Sequence, residues 1–296
     1  MDLMIKVADA AADFDDIYSL WHEAFGDDED YVRDFFTAFD PRGRLLLGVT
    51  DGESVSDGEC VSFVCLIPIK MRADGETYSG SYIYAACVRA SLRGRGIFRI
   101  FSDMCADYIK DTLRDDFAFL VPSSQSLFSM YRKLGFTFTA DGLLPLCHDM
   151  PPPVPTELFG ELRRRNFDGD VRRLYDFYLR SEENRKLILD YDLFAASLRD
   201  HIDSGGVEYL CNYGENDEND ICGYVIYGAI LQNGKKNINI YDIYFYGSNN
   251  GDIIYEVKKY LRTNRIREKA LWRSFAENLT DASRGEVFLA DILFEG

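Results

Sequence analysis

The fold is decided by the stretch Tyr82-Ile83-Tyr84-Ala85-Ala86-Cys87-Val88-Arg89-Ala90-Ser91-Leu92-Arg93-Gly94-Arg95-Gly96-Ile97-Phe98. Its apolar first half is typical of a buried strand, and its two glycines indicate a turn. From Ile97 onward apolar residues recur at helical spacing, which predicts a helix with one face on a sheet. The first N–H groups of such a helix lack internal partners and attract anions, and glycines let a ligand approach the backbone. The stretch therefore indicates a pyrophosphate site, to which Arg93, Arg95 and Arg99 add positive charge.

A turn with two glycines is weak evidence by itself, because an ordinary strand-to-helix connection has the same composition. A nucleotide-binding P-loop is disfavoured because no Gly-Lys-Ser/Thr follows the turn. A dinucleotide-binding fold is disfavoured because the third glycine is missing and this strand does not open a series of parallel strands.

A second informative stretch follows about twenty residues later. Phe117-Ala118-Phe119-Leu120-Val121 reads as a buried strand, and Ser126 to Leu134 reads as a short helix that Gly135 ends in the left-handed conformation. Tyr131 on this helix, taken alone, is better explained as a core or surface aromatic residue than by a function.

Together the two stretches resemble the GCN5-related N-acetyltransferase (GNAT) family. Arg93-Gly94-Arg95-Gly96-Ile97-Phe98 is similar to the family's R/Q-x-x-G-x-G/A turn, with Phe98 in place of the last small residue. Tyr131-Arg132-Lys133-Leu134-Gly135-Phe136 is similar to its Y-x-K-x-G-F signature. The resemblance covers roughly residues 1–145 and implies an α+β fold with a mixed, mostly antiparallel sheet flanked by helices.

The resemblance also implies roles for individual residues. Backbone groups of Ala86, Cys87 and Val88 would hold the pantetheine arm of acetyl-CoA in the manner of an added strand. The pyrophosphate would lie on the turn, and a polar residue near the pantetheine would be Ser123 or Ser124. Tyr131 would be the general acid that protonates the leaving thiolate. The residues of the pyrophosphate turn are Arg93, Gly94, Arg95, Gly96, Ile97, Phe98 and Arg99.

Candidates on the acceptor side lie between the first two predicted helices, over residues 13–25 and 30–39. In the family these helices flank the acceptor cleft, so Trp21, His22 and Phe25 are substrate-binding candidates. The carboxylates of residues 27–30 could attract an amine, but negative charge at a helix N-terminus explains them equally simply. His22 could be a base or an ordinary surface residue.

The order of predicted elements suggests two domains. We predict a catalytic domain over residues 1–149, a proline-rich linker over 150–156 and a second domain over 157–296. The second domain repeats the order of helices and strands in the first half of the catalytic domain. This arrangement resembles the tandem acetyltransferases of the "enhanced intracellular survival" group without their third domain. Because residues 247–251 stand where a coenzyme turn would be and do not match one, we expect one coenzyme site per chain.

Composition narrows the partners. The 296 residues include 33 Lys plus Arg and 50 Asp plus Glu, a formal net charge of −17, which argues against nucleic acid and suits a cationic amine. No long apolar run or signal core is present, so we expect a cytoplasmic protein without a membrane partner. Seven cysteines without a C-x-x-C pair and three dispersed histidines predict no metal site. The acceptor, the base and a possible homo-oligomer stay open.

Two hypotheses of function follow. The first is an acetyl-CoA-dependent N-acetyltransferase that transfers the acetyl group directly to a primary amine. The amine could belong to a small molecule, such as an aminoglycoside- or polyamine-like compound, or to a protein. The alternative is a regulatory or scaffold protein that binds acyl-CoA without turnover. Both predict coenzyme binding, and only the first predicts release of the thiol.

Overall fold

The computed structural model describes residues 2–38, 41–50, 58–73, 75–141, 167–180, 185–203, 207–214, 217–232, 235–245 and 269–276. The predicted linker over 150–156 and the stretch 247–251 lie outside these residues. Within the described ranges, no helix combines the length and the apolar character needed to cross a membrane.

The first part of the chain follows the predicted order of elements closely. In order these are β1 (Leu3–Ala8), α1 (Phe14–Phe25), α2 (Glu29–Ala38), β2 (Leu45–Thr50), β3 (Glu59–Ala73), β4 (Glu76–Val88), α3 (Ile97–Asp107), β5 (Phe117–Leu120), α4 (Gln125–Lys133) and β6 (Phe138–Asp141). Helix α3 continues into a π-helical turn, Tyr108–Leu113, which ends where Arg114 adopts a φ of 59°.

The later part of the chain contributes α5 (Phe167–Arg180), β7 (Arg185–Ile188), α6 (Tyr191–Asp203), β8 (Val207–Gly214), β9 (Asp217–Gln232), β10 (Lys235–Phe245) and β11 (Lys269–Ser274). Strands β8, β9 and β10 form an antiparallel sheet in the order β10-β9-β8. Gly214 pairs with Asp217, so the acidic residues 217–220 belong to β9.

Helices α5 and α6 share an aromatic core of their own. The rings of Tyr175 and Tyr178 both contact Phe194, with centroids 5.2 and 5.0 Å apart respectively. The two tyrosine hydroxyls donate hydrogen bonds to the backbone carbonyl oxygens of Leu189 and Leu187. Each buried phenol is thereby paired at its polar end, as burial requires.

The chain divides into two compact units, of which the first contains β1 to β5 and β11. This first unit is built on a mixed sheet with the strand order β1-β2-β3-β4-β5-β11-β6. Strands β1 to β4 pair antiparallel, whereas β4 and β5 pair parallel. Trp21 of α1 and Phe35 of α2 pack against Tyr84 on one face. On the other face Phe101 of α3 and Tyr131 of α4 share a core with Leu120. The expected mixed α/β fold with a mostly antiparallel sheet between helices is confirmed.

Strand β11 belongs to the sheet of the first unit, although it lies inside the range 157–296 predicted for the second domain. It pairs antiparallel with β5, with Leu271 opposite Leu120 and Ser274 opposite Phe117. The backbone N–H groups of Phe275 and Ala276 then donate to the carbonyl oxygen of Asp116. A segment far along the chain thus supplies the outer neighbour of β5, a long-range pairing that no local pattern announces.

Candidate coenzyme site

Strands β4 and β5 separate partway along their length. Their parallel pairing covers Gly80 to Tyr82 on β4, and it ends at the pair Tyr82 and Phe119. Three residues later Ala85 has a φ of 49°, which is rare for a residue with a side chain, and the register between β3 and β4 shifts at this point. The shift is a β-bulge, and it turns the end of β4 away from β5. The residues predicted to hold pantetheine, Ala86, Cys87 and Val88, lie beyond this bulge.

The glycine turn that follows β4 has an open backbone. Gly94 and Gly96 have φ values of 77° and 83°, and a Cβ placed on either would have no heavy atom within 4 Å. Gly96 is the residue that precedes α3, and its carbonyl oxygen accepts the first hydrogen bonds of the helix, from Arg99 and Ile100. The turn is therefore open to a ligand, and the first N–H groups of a helix lack partners within it, as an anion site needs.

The start of α3 is held in place by packing beneath the turn. Ile97 is buried with Val61 of β3 and Val88 of β4. Phe98 lies against the main core, and its ring meets the ring of Tyr131 with centroids 5.8 Å apart. The bulky Phe98 side chain thus points into the protein, and its backbone stays in the turn where the family pattern has a small residue.

The three arginines of the turn have different surroundings. The Nε of Arg93 donates to the carbonyl oxygen of Val88 over 3.0 Å, so this side chain folds back on β4 and braces the turn. Arg95 and Arg99 are exposed. The bond to the Val88 carbonyl oxygen holds Arg93 against β4. Arg95 and Arg99 are therefore better placed than Arg93 to approach the phosphates of a bound coenzyme.

Glu23 of α1 is a further support of the turn. Its carboxylate accepts from the backbone N–H of Ala90 over 2.6 Å and pairs with Arg89 over 3.3 Å. Arg89 also donates to the carbonyl oxygen of Cys60 on β3. Sequence reasoning missed Glu23, because an exposed helical glutamate carries no local sign of a partner 67 residues away.

Tyr131 lies at the C-terminal end of α4, and the residues after it explain the Y-x-K-x-G-F pattern. The N–H of Phe136 donates to the carbonyl oxygen of Tyr131, and the N–H of Gly135 donates to that of Arg132. Gly135 has a φ of 92°, and the rings of Tyr131 and Phe136 are in edge contact. This is a Schellman motif, in which the glycine takes the left-handed position and an apolar contact closes the turn.

The Tyr131 side chain is buried, with 9% of its surface exposed. Burial, with a smaller contribution from nearby Cys87, raises the pKa of Tyr131 to about 12. The phenol therefore carries its proton throughout the physiological pH range. A protonated phenol next to the strand end that carries Cys87 is in the right chemical state for the role of a general acid.

Ser124 has a structural partner, and Ser123 is exposed. The hydroxyl of Ser124 accepts from the backbone N–H of Leu127 and so caps α4; it also bonds to the hydroxyl of Ser126. Ser123 has no such cap to make and lies on the surface just after β5. Of the two predicted contacts with pantetheine, Ser123 has the side chain that is not already used to start a helix.

The three acceptor-side candidates separate by burial. Trp21 is only 1% exposed: its ring packs on Phe35, Phe63 and Tyr84, and its Nε1 donates to Asp27. Phe25 is 42% exposed, and exposed His22 bonds through Nδ1 to the carbonyl oxygen of Asp27. Because a carbonyl oxygen can only accept, neutral His22 carries its proton on Nδ1. Trp21 is thus a core residue, and of the three candidates His22 and Phe25 have exposed side chains.

The acidic run at residues 27–30 is explained by the start of α2. Asp28 accepts from the N–H of Tyr31, and Glu29 and Asp30 occupy the first turn of the helix. Carboxylates at these positions stabilise a helix N-terminus. The described residues contain no group of His, Cys, Asp or Glu that could hold a metal ion.

Comparisons with known proteins agree with this geometry. Residues 7–139 match the sequence model of the family described as acetyltransferase (GNAT) domain. No curated protein matches the chain at a significant level.

Solved structures share the fold over most of the chain. A probable N-acyltransferase from Enterococcus faecalis is 17% identical, with a TM-score of 0.62 over 93% of this chain and 66% of its own. Eis1 from Mycobacterium abscessus is 12% identical, with a TM-score of 0.55 over 96% and 69%. N-myristoyltransferase from Saccharomyces cerevisiae, solved with myristoyl-CoA, is 12% identical, with a TM-score of 0.54 over 97% and 84%. The chain spans about two thirds of the length of the first two.

The separated strands, the open glycine turn and the family match concern the same residues. The bulge, the turn and Tyr131 all lie inside the matched range 7–139. Residues 7–139 are therefore similar to the GNAT acetyltransferase domain, and this range includes the bulge, the turn and Tyr131.

Proposed function

We propose that this protein is an N-acetyltransferase that transfers the acetyl group of acetyl-CoA directly to a primary amine. The observation that carries the proposal is the separation of β4 from β5 after the pair Tyr82 and Phe119, directly before the open turn of Gly94 and Gly96. An extended pantetheine arm can lie between the strands while its pyrophosphate binds the N-terminus of α3.

Each group of residues has its own role in the proposed reaction. Backbone groups of Ala86, Cys87 and Val88 align the thioester, and the N–H groups of the turn hold the pyrophosphate with Arg95 and Arg99. The nitrogen of the free amine attacks the thioester carbonyl carbon, the carbon–sulfur bond breaks, and Tyr131 donates its proton to the leaving sulfur. The nitrogen then releases a proton to solvent, and solvent returns one to the tyrosinate, so that the products are the acetylated amine and the thiol. Alignment of amine and thioester in one complex supplies much of the rate, and the acid supplies a further 10²- to 10⁴-fold.

The acceptor is proposed to be a cationic amine. The chain has a formal net charge of −17, which raises the local concentration of cations. Exposed Phe25 and His22, at the end of α1 nearest the loop to α2, are the side chains we assign to this part of the site. The amine must lose a proton before attack, so turnover is expected to rise with pH until the free amine predominates.

We further propose that the second half of the chain is a degenerate copy of the GNAT domain without a coenzyme site. Helices α5 and α6 followed by three antiparallel strands, β8 to β10, are similar to the order of elements from α1 to β4, with the short strand β7 inserted between the helices. The similar solved structures extend over this half as well. One acetyl-CoA bound per chain in a calorimetric titration is the expected result, and two would contradict the proposal.

The function is tested by thiol release from acetyl-CoA over a panel of amines, with Tyr131→Phe as the variant. Phenylalanine keeps the ring contacts with Phe98 and Phe136, so the fold is retained while the proton donor is lost. We expect kcat to fall by about 10²-fold or more, with acetyl-CoA affinity unchanged. Undiminished turnover would remove Tyr131 from the mechanism. Acetyl-CoA binding without turnover of any amine would favour a regulatory binding protein.

A further inference from the structure

Arg273 of β11 contacts the helix end that carries Tyr131. Its Nη1 donates to the carbonyl oxygen of Leu134 over 3.3 Å. A Cβ on Gly135 would lie 3.4 Å from Cζ, Nε and Nη1 of Arg273, so the guanidinium packs flat against this glycine. The guanidinium of Arg273 also lies near the ring of Phe275, its centroid 5.5 Å away. One side chain therefore contacts both residues of the turn that follows α4.

The contact completes the hydrogen bonding of the helix end. The carbonyl oxygens of Tyr131 and Arg132 accept from Phe136 and Gly135 within the Schellman motif. The carbonyl oxygen of Leu134 lies beyond the motif and receives its bond from Arg273. A positive charge at this end also interacts favourably with the helix dipole. Gly135 fits because a larger residue would meet the guanidinium plane.

The register of β11 places Arg273 on the correct face. Arg273 pairs with Ala118, which belongs to the same core as Tyr131 and Phe136. Neighbours across a strand pair share a face, and a slip of one residue would turn Arg273 to the opposite side. Ser274, the next residue, alternates to that opposite side and bonds to the carbonyl oxygen of Ala276. Strand β11 thus directs the Arg273 side chain towards α4 and the Ser274 hydroxyl to the opposite face of the sheet.

We propose that Arg273 is a positioning residue for the general acid, holding the C-terminal end of α4 so that the Tyr131 hydroxyl meets the leaving sulfur. This rests on the proposed function, because it assigns Arg273 a role only through Tyr131. Arg273 lies about 140 residues after Tyr131 in the sequence, outside the range 7–139 that matches the GNAT domain. The coenzyme site of the first half therefore depends on a side chain from far along the chain.

The test is a double-mutant cycle in kcat on the full chain with Arg273→Ala and Tyr131→Phe. We expect Arg273→Ala alone to lower kcat about 10- to 100-fold, as misplacement of a catalytic group by about 1 Å can do, with KM for acetyl-CoA within about twofold. In the Tyr131→Phe background the same change should leave kcat within about twofold, because the group it positions is gone. Arg273→Lys keeps the charge but not the flat packing and should lie between wild type and Arg273→Ala.

Ser274→Ala is the matched control, since it changes the same strand on the face away from α4, and its kcat should equal that of the wild type. Equal losses of kcat from Arg273→Ala in both backgrounds, or a loss matched by Ser274→Ala, would overturn the positioning role and indicate general destabilisation. Full kcat in Arg273→Ala with an active wild type would overturn it as well, and would leave the proposed function intact. A wild type that binds acetyl-CoA without turnover would overturn both.

Discussion

Strand β4 has two parts with opposite roles: its middle pairs with β5, and its C-terminal end lies beyond that pairing. In the paired part, Ser81 and Asp115 are buried and bond to each other over 2.6 Å, and Arg44 donates to both over 2.9 Å. Gly80 packs there against Phe117, whose ring atoms would lie 2.4 to 2.6 Å from a Cβ. Beyond it, Ala85 takes a left-handed φ of 49° at a β-bulge. A buried, hydrogen-bonded junction thus lies at the base of the proposed coenzyme gap.

The largest effect is expected from removing the buried ion pair of Arg44 and Asp115, next to the pairing of β4 with β5. We expect Asp115→Ala to lower the free energy of unfolding by about 3 to 5 kcal/mol, because Arg44 would keep a largely buried charge without its partner. Chemical denaturation measures this loss. Asp107→Ala, at an exposed position on α3, is the control and should change stability by no more than about 0.5 kcal/mol. A similar, small loss in both variants would mean that the buried ion pair does not hold the junction.

A smaller effect is expected from substitutions of Ala85, the residue with positive φ beyond the pairing of β4 with β5. Valine is β-branched and adopts a positive φ poorly, so Ala85→Val should cost about 1 to 2 kcal/mol of stability. If the strand relieves the strain by straightening, the gap narrows, and acetyl-CoA affinity should fall about tenfold, equivalent to 1.4 kcal/mol. Ala85→Gly tolerates the same φ and should keep the affinity. Calorimetric titration compares the two variants, and equal affinities would show that the bulge does not set the gap.

The smallest effect at neutral pH concerns the Cys87 thiol, near the C-terminal end of β4. Burial raises the pKa of Cys87 to about 12, compared with about 8.5 in an unfolded chain. The folded state therefore holds this proton more tightly, and its contribution to stability is intact below about pH 9 and is lost as the pH rises towards 12. The slope is at most about 1.4 kcal/mol per pH unit.

Cys87→Ala should reduce this alkaline slope, measured by denaturation between pH 8 and 11, and should change acetyl-CoA affinity by less than about twofold. The affinity is expected to persist because the backbone, and not the thiol, is assigned to pantetheine. An affinity loss well beyond twofold would show that the side chain takes part in the site.

The sequence was sufficient for the parts of the site that depend on local geometry. The turn of Gly94 and Gly96, the helix that starts at Ile97 and the left-handed Gly135 follow from neighbouring residues alone. Strand and helix order in the first half was predictable for the same reason, since each apolar pattern reports its own element.

The rest of the site depends on contacts between distant residues. Trp21 was a candidate because it lies on the first of two helices that flank the acceptor cleft in the GNAT family, but its burial follows from packing against Phe63 and Tyr84. The bulge at Ala85 has no glycine to reveal it, and Glu23 and Arg273 act on partners 67 and 139 residues away. No local pattern carries such information, so the supports of the coenzyme turn and of Tyr131 were visible only in the fold.

The place of β11 has a consequence for synthesis of the protein on the ribosome. Strand β5 emerges with the apolar edge Phe117–Leu120, and its native neighbour follows only after roughly 150 more residues. At about 5 to 20 residues per second this interval lasts on the order of 10 to 30 s. During that time the nascent chain presents an unpaired strand edge, which is a template for association with other chains. The sheet of this unit is therefore completed late in synthesis, and the edge of β5 has no native neighbour on that side until β11 has been made.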